Sequence, residues 1–73
     1  MKQKYKFLFR AGEVFIMTIL PVPIGGADKI ARATAKRIGK ETGCDTVFLI
    51  WYGPEDERIP EGIREQIREE RAS

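Results

Sequence analysis

Two near-continuous apolar runs, Val14 to Leu20 and Val47 to Tyr52, dominate a chain of only 73 residues. Runs of this kind, without a regular polar alternate, suit strands buried on both faces. Burying both faces takes a covering layer above and another below, and so short a chain has little left to build them from. The sequence therefore points to a partner: a second copy of the chain, giving a homodimer, or another protein.

Length allows a single domain, residues 1–73. A chain this short buries only about 60% of the surface that its unfolded form exposes. Its core alone supplies roughly 3 to 5 kcal/mol. The usual reinforcements are disulfides, metals and association. Cys44 is the single cysteine and there is no histidine, so neither an internal disulfide nor a zinc set is expected. Association is what remains.

With 42% hydrophobic and 33% charged residues, the chain reads as an ordinary folded domain rather than a disordered tail. Pro21, Pro23, Asp28 and Lys29 interrupt its longest apolar stretch, well short of the roughly 20 residues a membrane span requires. Lys2, Lys4, Lys6 and Arg10 precede an apolar run as in a secretory leader, but Glu13 intervenes and the run is short, which argues against one. A lone cysteine fits a reducing compartment, so the expected location is cytoplasmic.

From Lys4 to Arg10, Tyr5, Phe7 and Phe9 alternate with Lys4, Lys6, Leu8 and Arg10, as in a half-exposed strand. Ala11, Gly12 and Glu13 form a short break before the second strand, Val14 to Leu20, so the two predict an antiparallel hairpin. Pro21 to Gly26 reads as a loop. Ala27 to Thr42 reads as a helix whose stripe is Ala27, Ile30, Ala31, Thr34, Ala35 and Ile38, closed by Gly43. A third strand covers Thr46 to Tyr52. A second helix begins at Pro60, with a narrow stripe of Ile59, Ile63 and Ile67 and a loose end near Ser73.

The expected class is α+β, a two-layer ββαβα domain with two helices on a three-stranded mixed sheet. A strand–helix–strand crossover makes strands two and three parallel. The lysine-rich first strand suits an edge, which gives the order 1-2-3 and makes strand three the other edge. That edge, Val47, Phe48, Leu49, Ile50, Trp51 and Tyr52, holds no charge or proline to discourage pairing. A two-fold copy adding its own third strand there makes a six-stranded sheet. The competing arrangement is a monomer with one helix on each face.

No signature of catalysis or of a cofactor is present. Gly25-Gly26 precedes a helix but lacks the spacing of a dinucleotide or phosphate loop, and Asp28 repels an anion there. Cys44 has no histidine to activate it and follows a helix C-terminus, the wrong end of the dipole for a thiolate. Glu55, Asp56 and Glu57 precede a helix as dipole-complementing acids commonly do. The expected function is thus a non-catalytic protein-interaction module, not an enzyme, that self-associates through strand three. The alternative is nucleic-acid binding. Lys29, Arg32, Lys36 and Lys40 form a ridge opposite the apolar stripe of the first helix, and Lys4, Lys6 and Arg10 add a basic row on strand one. Residues 1–50 hold nine Lys or Arg against four acids and residues 51–73 hold four against seven, so the charge is strongly divided. A solvated helix face balanced by an acidic second helix explains the same pattern.

Overall fold

The computed structural model describes residues 2–72. Its elements are β1 (Lys2–Ala11), β2 (Val14–Pro23), α1 (Ala27–Thr42), β3 (Val47–Pro54) and α2 (Glu61–Ala72). The class is α+β as expected, but the sheet is entirely antiparallel and its order is β2-β1-β3. The expected mixed sheet of order 1-2-3 is therefore corrected: β1 is the central strand. β2 and β3 each oppose β1, so they run in the same direction, as the crossover requires, with β1 lying between them.

Two residues, Gly12 and Glu13, link the paired Ala11 and Val14. Gly12 has φ +62° and, among the described residues, none other than glycine has positive φ, which is the pattern of a type II′ hairpin turn. Its twist matches that of the strands it joins. β2 then continues through Pro21 and Pro23, paired with Lys4 and Lys2, where a loop was expected. An edge strand tolerates this because alternate N–H groups point away from the sheet, and prolines two residues apart lie in one such set.

The odd-numbered side chains of β1 make the main core. Phe7 and Phe9 are fully buried, and Ala11, Val22, Ala31 and Ile38 close around them. Register puts Ile16 and Leu49 beside Phe9, and Thr18 and Tyr52 beside Phe7, on this same face. α1 covers it with Ala31, Thr34 and Ile38, and the buried Thr34 hydroxyl donates to the Ile30 carbonyl at 2.7 Å. Gly43, at φ 72°, ends the helix, and the Cys44 N–H donates back to the Gly39 carbonyl at 3.1 Å.

The even-numbered face of β1 carries Lys4, Lys6, Leu8 and Arg10. Leu8 is 3% exposed, so something covers this face too. It is α2, whose Ile67, with Ile59 before it, shares one groove with Leu8, Phe15 and Met17. Arg10 anchors the far end, its Nη1 standing 2.7 Å from the Glu70 Oε1 and its guanidinium 5.6 Å from the centre of the Phe15 ring. The helices thus lie on opposite faces, the placement of the competing arrangement, which corrects the expected two layers to helix, sheet and helix. The physical reason is Leu8: a strand alternating aromatic and charged residues still needs cover for the one apolar side chain on its charged face. α2 begins at Glu61, with the Pro60 carbonyl accepting from Ile63 and Arg64 at 3.1 Å. The expected loose end at Ser73 lies outside the described residues.

Candidate functional site

β3 keeps the edge position expected for it. One side pairs with β1 and the other meets no strand. Pairing with β1 is interrupted once, between Leu49 and Trp51, where Ile50 is the extra residue of a β-bulge. The bulge resets the alternation, so Val47, Leu49 and Tyr52 share the α1 face while Phe48 and Trp51 share the α2 face. Without it Tyr52 would lie with Phe48. The sequence offered no sign of this device, because a bulge without glycine or proline looks like uninterrupted strand.

Each residue of the run keeps part of its surface in water or at its margin. Phe48 is 59% exposed, Tyr52 40% and Leu49 38%. Val47, Ile50 and Trp51 are half-buried. The Tyr52 ring stacks on Phe7 with centroids 5.7 Å apart, which fixes its inner side and leaves the outer one bare. The Trp51 indole lies across Gly53, where a Cβ would stand 2.8 Å from its Cζ2. Gly53 leaves room for that ring, a requirement that sequence reading passed over as part of a strand-ending Gly-Pro. The apolar edge is thus neither enclosed by α1 nor covered by α2. Its opposite number, β2, also exposes Val14, Met17 and Ile19, but Pro21 and Pro23 mark that edge.

The basic residues divide into two groups on opposite sides of the sheet. Lys29, Arg32, Lys36 and Lys40 are all exposed on the outer surface of α1, and among the described residues none forms an ion pair. That includes Arg32, although Asp28 lies four residues before it on the same helix. Lys4, Lys6 and Arg10 lie on the α2 face. There the Lys6 ammonium donates to the Glu57 carbonyl at 3.1 Å, and Arg10 is held by Glu70, by the Gly12 carbonyl at 2.9 Å and by Phe15. The structure does not bring the ridge and the strand row together, since the sheet separates them.

Cys44 is half-buried and its thiol donates to the Thr46 carbonyl at 3.4 Å. It borders an open groove with Ala35, Lys36, Gly39, Lys40, Asp45 and Val47. Gly39 permits this close approach of helix and loop, because a Cβ there would stand 3.1 Å from the Cys44 carbonyl oxygen. Among the described residues no three His, Cys, Asp or Glu side chains converge as a metal set requires, and no helix is long and apolar enough to cross a membrane. No protein-family model matches the chain, and no curated protein or solved structure matches it either.

Proposed function

We propose that the chain is a non-catalytic, cytoplasmic protein-interaction module that self-associates through β3. The observation that carries this reading is the open edge itself: a strand paired on one side only, without charge or proline between Val47 and Tyr52, with Phe48, Leu49 and Tyr52 each at least 38% exposed. An edge of that kind is a template for another strand. Two copies related by a two-fold axis pair their β3 strands antiparallel, giving the order β2-β1-β3-β3-β1-β2 across the dimer. The prolines of β2 then stand at both outer edges, where they discourage further growth and close the assembly at two copies.

Sedimentation equilibrium across a micromolar concentration series tests this directly. A dimer is expected, and a monomer at high micromolar concentration overturns the reading.

A second reading, nucleic-acid binding, is supported by the unpaired ridge Lys29, Arg32, Lys36 and Lys40 alone. It expects oligonucleotide affinity that falls steeply with salt, because bound cations release condensed counterions. Absence of binding at low salt removes it.

A further inference from the structure

Between α2 and β2 an apolar groove stays open. Leu8, Phe15 and Met17 form its floor, and Ile59 and Ile67 its wall on the side of α2. Met17 is 49% exposed, and Ile19, two residues on along the same face of β2, is exposed to the same degree. The groove measures about 320 Å³, at the lower end of the roughly 300 to 1,000 Å³ that small-molecule sites occupy.

The rim of this groove is cationic. Arg64, Arg68 and Arg71 border it, and steps of four and three residues set them on one flank of α2. Glu61 heads that flank and pairs with Arg68 at 2.5 Å and with Arg64 at 3.9 Å. Three arginines thus meet one carboxylate, which leaves the flank at +2, and the positive excess lies toward Arg71. Among the described residues Arg71 forms no ion pair. Arg71 and Phe15 also border the neighbouring hollow with Arg10, Glu13 and Glu70, where Arg10 and Glu70 offset each other. Phe15 therefore lies at the Arg71 end of the groove, while Ile59, which precedes α2, lies at the other. At about 1.5 Å per residue, Glu61 to Arg71 spans about 15 Å.

We propose that this groove binds a single-chain fatty carboxylate, with its tail laid over Phe15, Met17 and Leu8 toward Ile59 and its head group held by Arg71 and Arg68. Apolar lining and a charged rim confined to one end match a molecule that is oily along its length and anionic at one tip. The space decides against larger occupants of the same character. A peptide helix is about 10 Å across with its side chains, and a two-chain lipid needs twice the room of one tail. The guanidinium fork suits a planar carboxylate, which it binds through two parallel hydrogen bonds. The flexible Met17 side chain adapts to a tail without fixed shape. No residue of β3 lines the groove, so the proposal goes beyond self-association and does not depend on it.

Calorimetric titration with octanoate, decanoate and dodecanoate, each below its micelle concentration, tests the proposal. Affinity is expected to rise at least twofold per added methylene, up to about fourfold where a methylene is fully buried. Dodecyltrimethylammonium, of equal tail length and opposite charge, is expected to bind at least tenfold more weakly than dodecanoate. A variant carrying Arg68→Gln and Arg71→Gln is expected to lose at least tenfold toward dodecanoate, about the effect of one hydrogen bond to a charged group. Met17→Glu, which sets a carboxylate in the floor, is expected to abolish binding. All three positions are exposed, and a thermal melt of each variant confirms that it folds. Lys36→Gln, on the opposite face of the sheet, is expected to leave the affinity unchanged. Absence of dodecanoate binding by the wild type, affinity indifferent to tail length or to the sign of the head group, or wild-type affinity in the arginine and Met17 variants overturns the proposal. Sedimentation equilibrium on the same samples reads self-association separately.

Discussion

Replacing Phe48 by lysine separates association from folding. Phe48 is 59% exposed; with roughly 200 Å² for an aromatic side chain, each copy then offers about 120 Å² to a partner. At about 25 cal/mol per Å², covering it is worth up to about 3 kcal/mol per copy and about 6 kcal/mol across a two-fold interface. If half of that area is covered, the loss is about 3 kcal/mol, or roughly two orders of magnitude in the dimer dissociation constant. A lysine on an exposed edge is also a common natural guard against edge pairing. Within one copy the cost is smaller. The remaining two-fifths of the ring rests on the α2 face beside Arg10, and the lysine stem replaces part of that contact. About 1 kcal/mol of stability is expected to be lost, lowering Tm by about 4 to 8 °C. Analytical ultracentrifugation and a thermal melt on the same samples measure the two effects. A Phe48→Lys chain that dimerises as tightly as the wild type refutes the argument, because then the most exposed ring on β3 lies outside the interface.

Leu8 reports on the docking of α2. Leu8→Ala empties a site that is 3% exposed under that helix and is expected to cost about 2 to 5 kcal/mol in chemical denaturation; a loss under about 1 kcal/mol would mean that α2 does not cover the sheet. Gly53→Ala sets a methyl group 2.8 Å from the Trp51 Cζ2 and 2.6 Å from the Glu57 Oε2, so a shift in tryptophan fluorescence and a loss of about 1 to 3 kcal/mol are expected; unchanged fluorescence contradicts the indole position. Gly12→Ala forces a Cβ into φ +62°, with an expected cost of about 1 to 2 kcal/mol and slower hairpin formation. Arg10→Ala removes a half-buried pair with Glu70 and the contact with Phe15, for an expected loss of about 1 kcal/mol in a melt.

The difference between the expected and the observed sheet comes down to β1. Its lysines read as the mark of an edge, yet Lys6 and Arg10 are tied to Glu57 and Glu70, partners more than fifty residues away. Two better signals lay elsewhere. Pro21 and Pro23 mark β2 as a strand with one unpaired side, and Phe7 and Phe9, both fully buried, need neighbours to left and right as well as above. A strand at an edge lacks one of those neighbours. Reading charge before volume put the wrong strand outside.

Local chemistry accounts for what was legible. The hairpin at Gly12, the left-handed cap at Gly43, the stripe of Ala31, Thr34 and Ile38 and the start of α2 next to Pro60 all follow from backbone freedom and periodicity acting within a few residues. The oily run Val47 to Tyr52 was visible in the same way, whereas its place at an edge was expected from the order 1-2-3 that the structure corrects. Tertiary structure alone decided that β1 lies between β2 and β3, that the helices take opposite faces, and that the basic ridge is cut off from the strand lysines. It also decided that a bulge at Ile50 turns Tyr52 toward Phe7. These depend on which distant surfaces meet, and competing pairings of similar apolar strands differ too little in local preference for the chain to announce the winner; only the volume of Phe7, Phe9 and Leu8, packed from both sides, separates them.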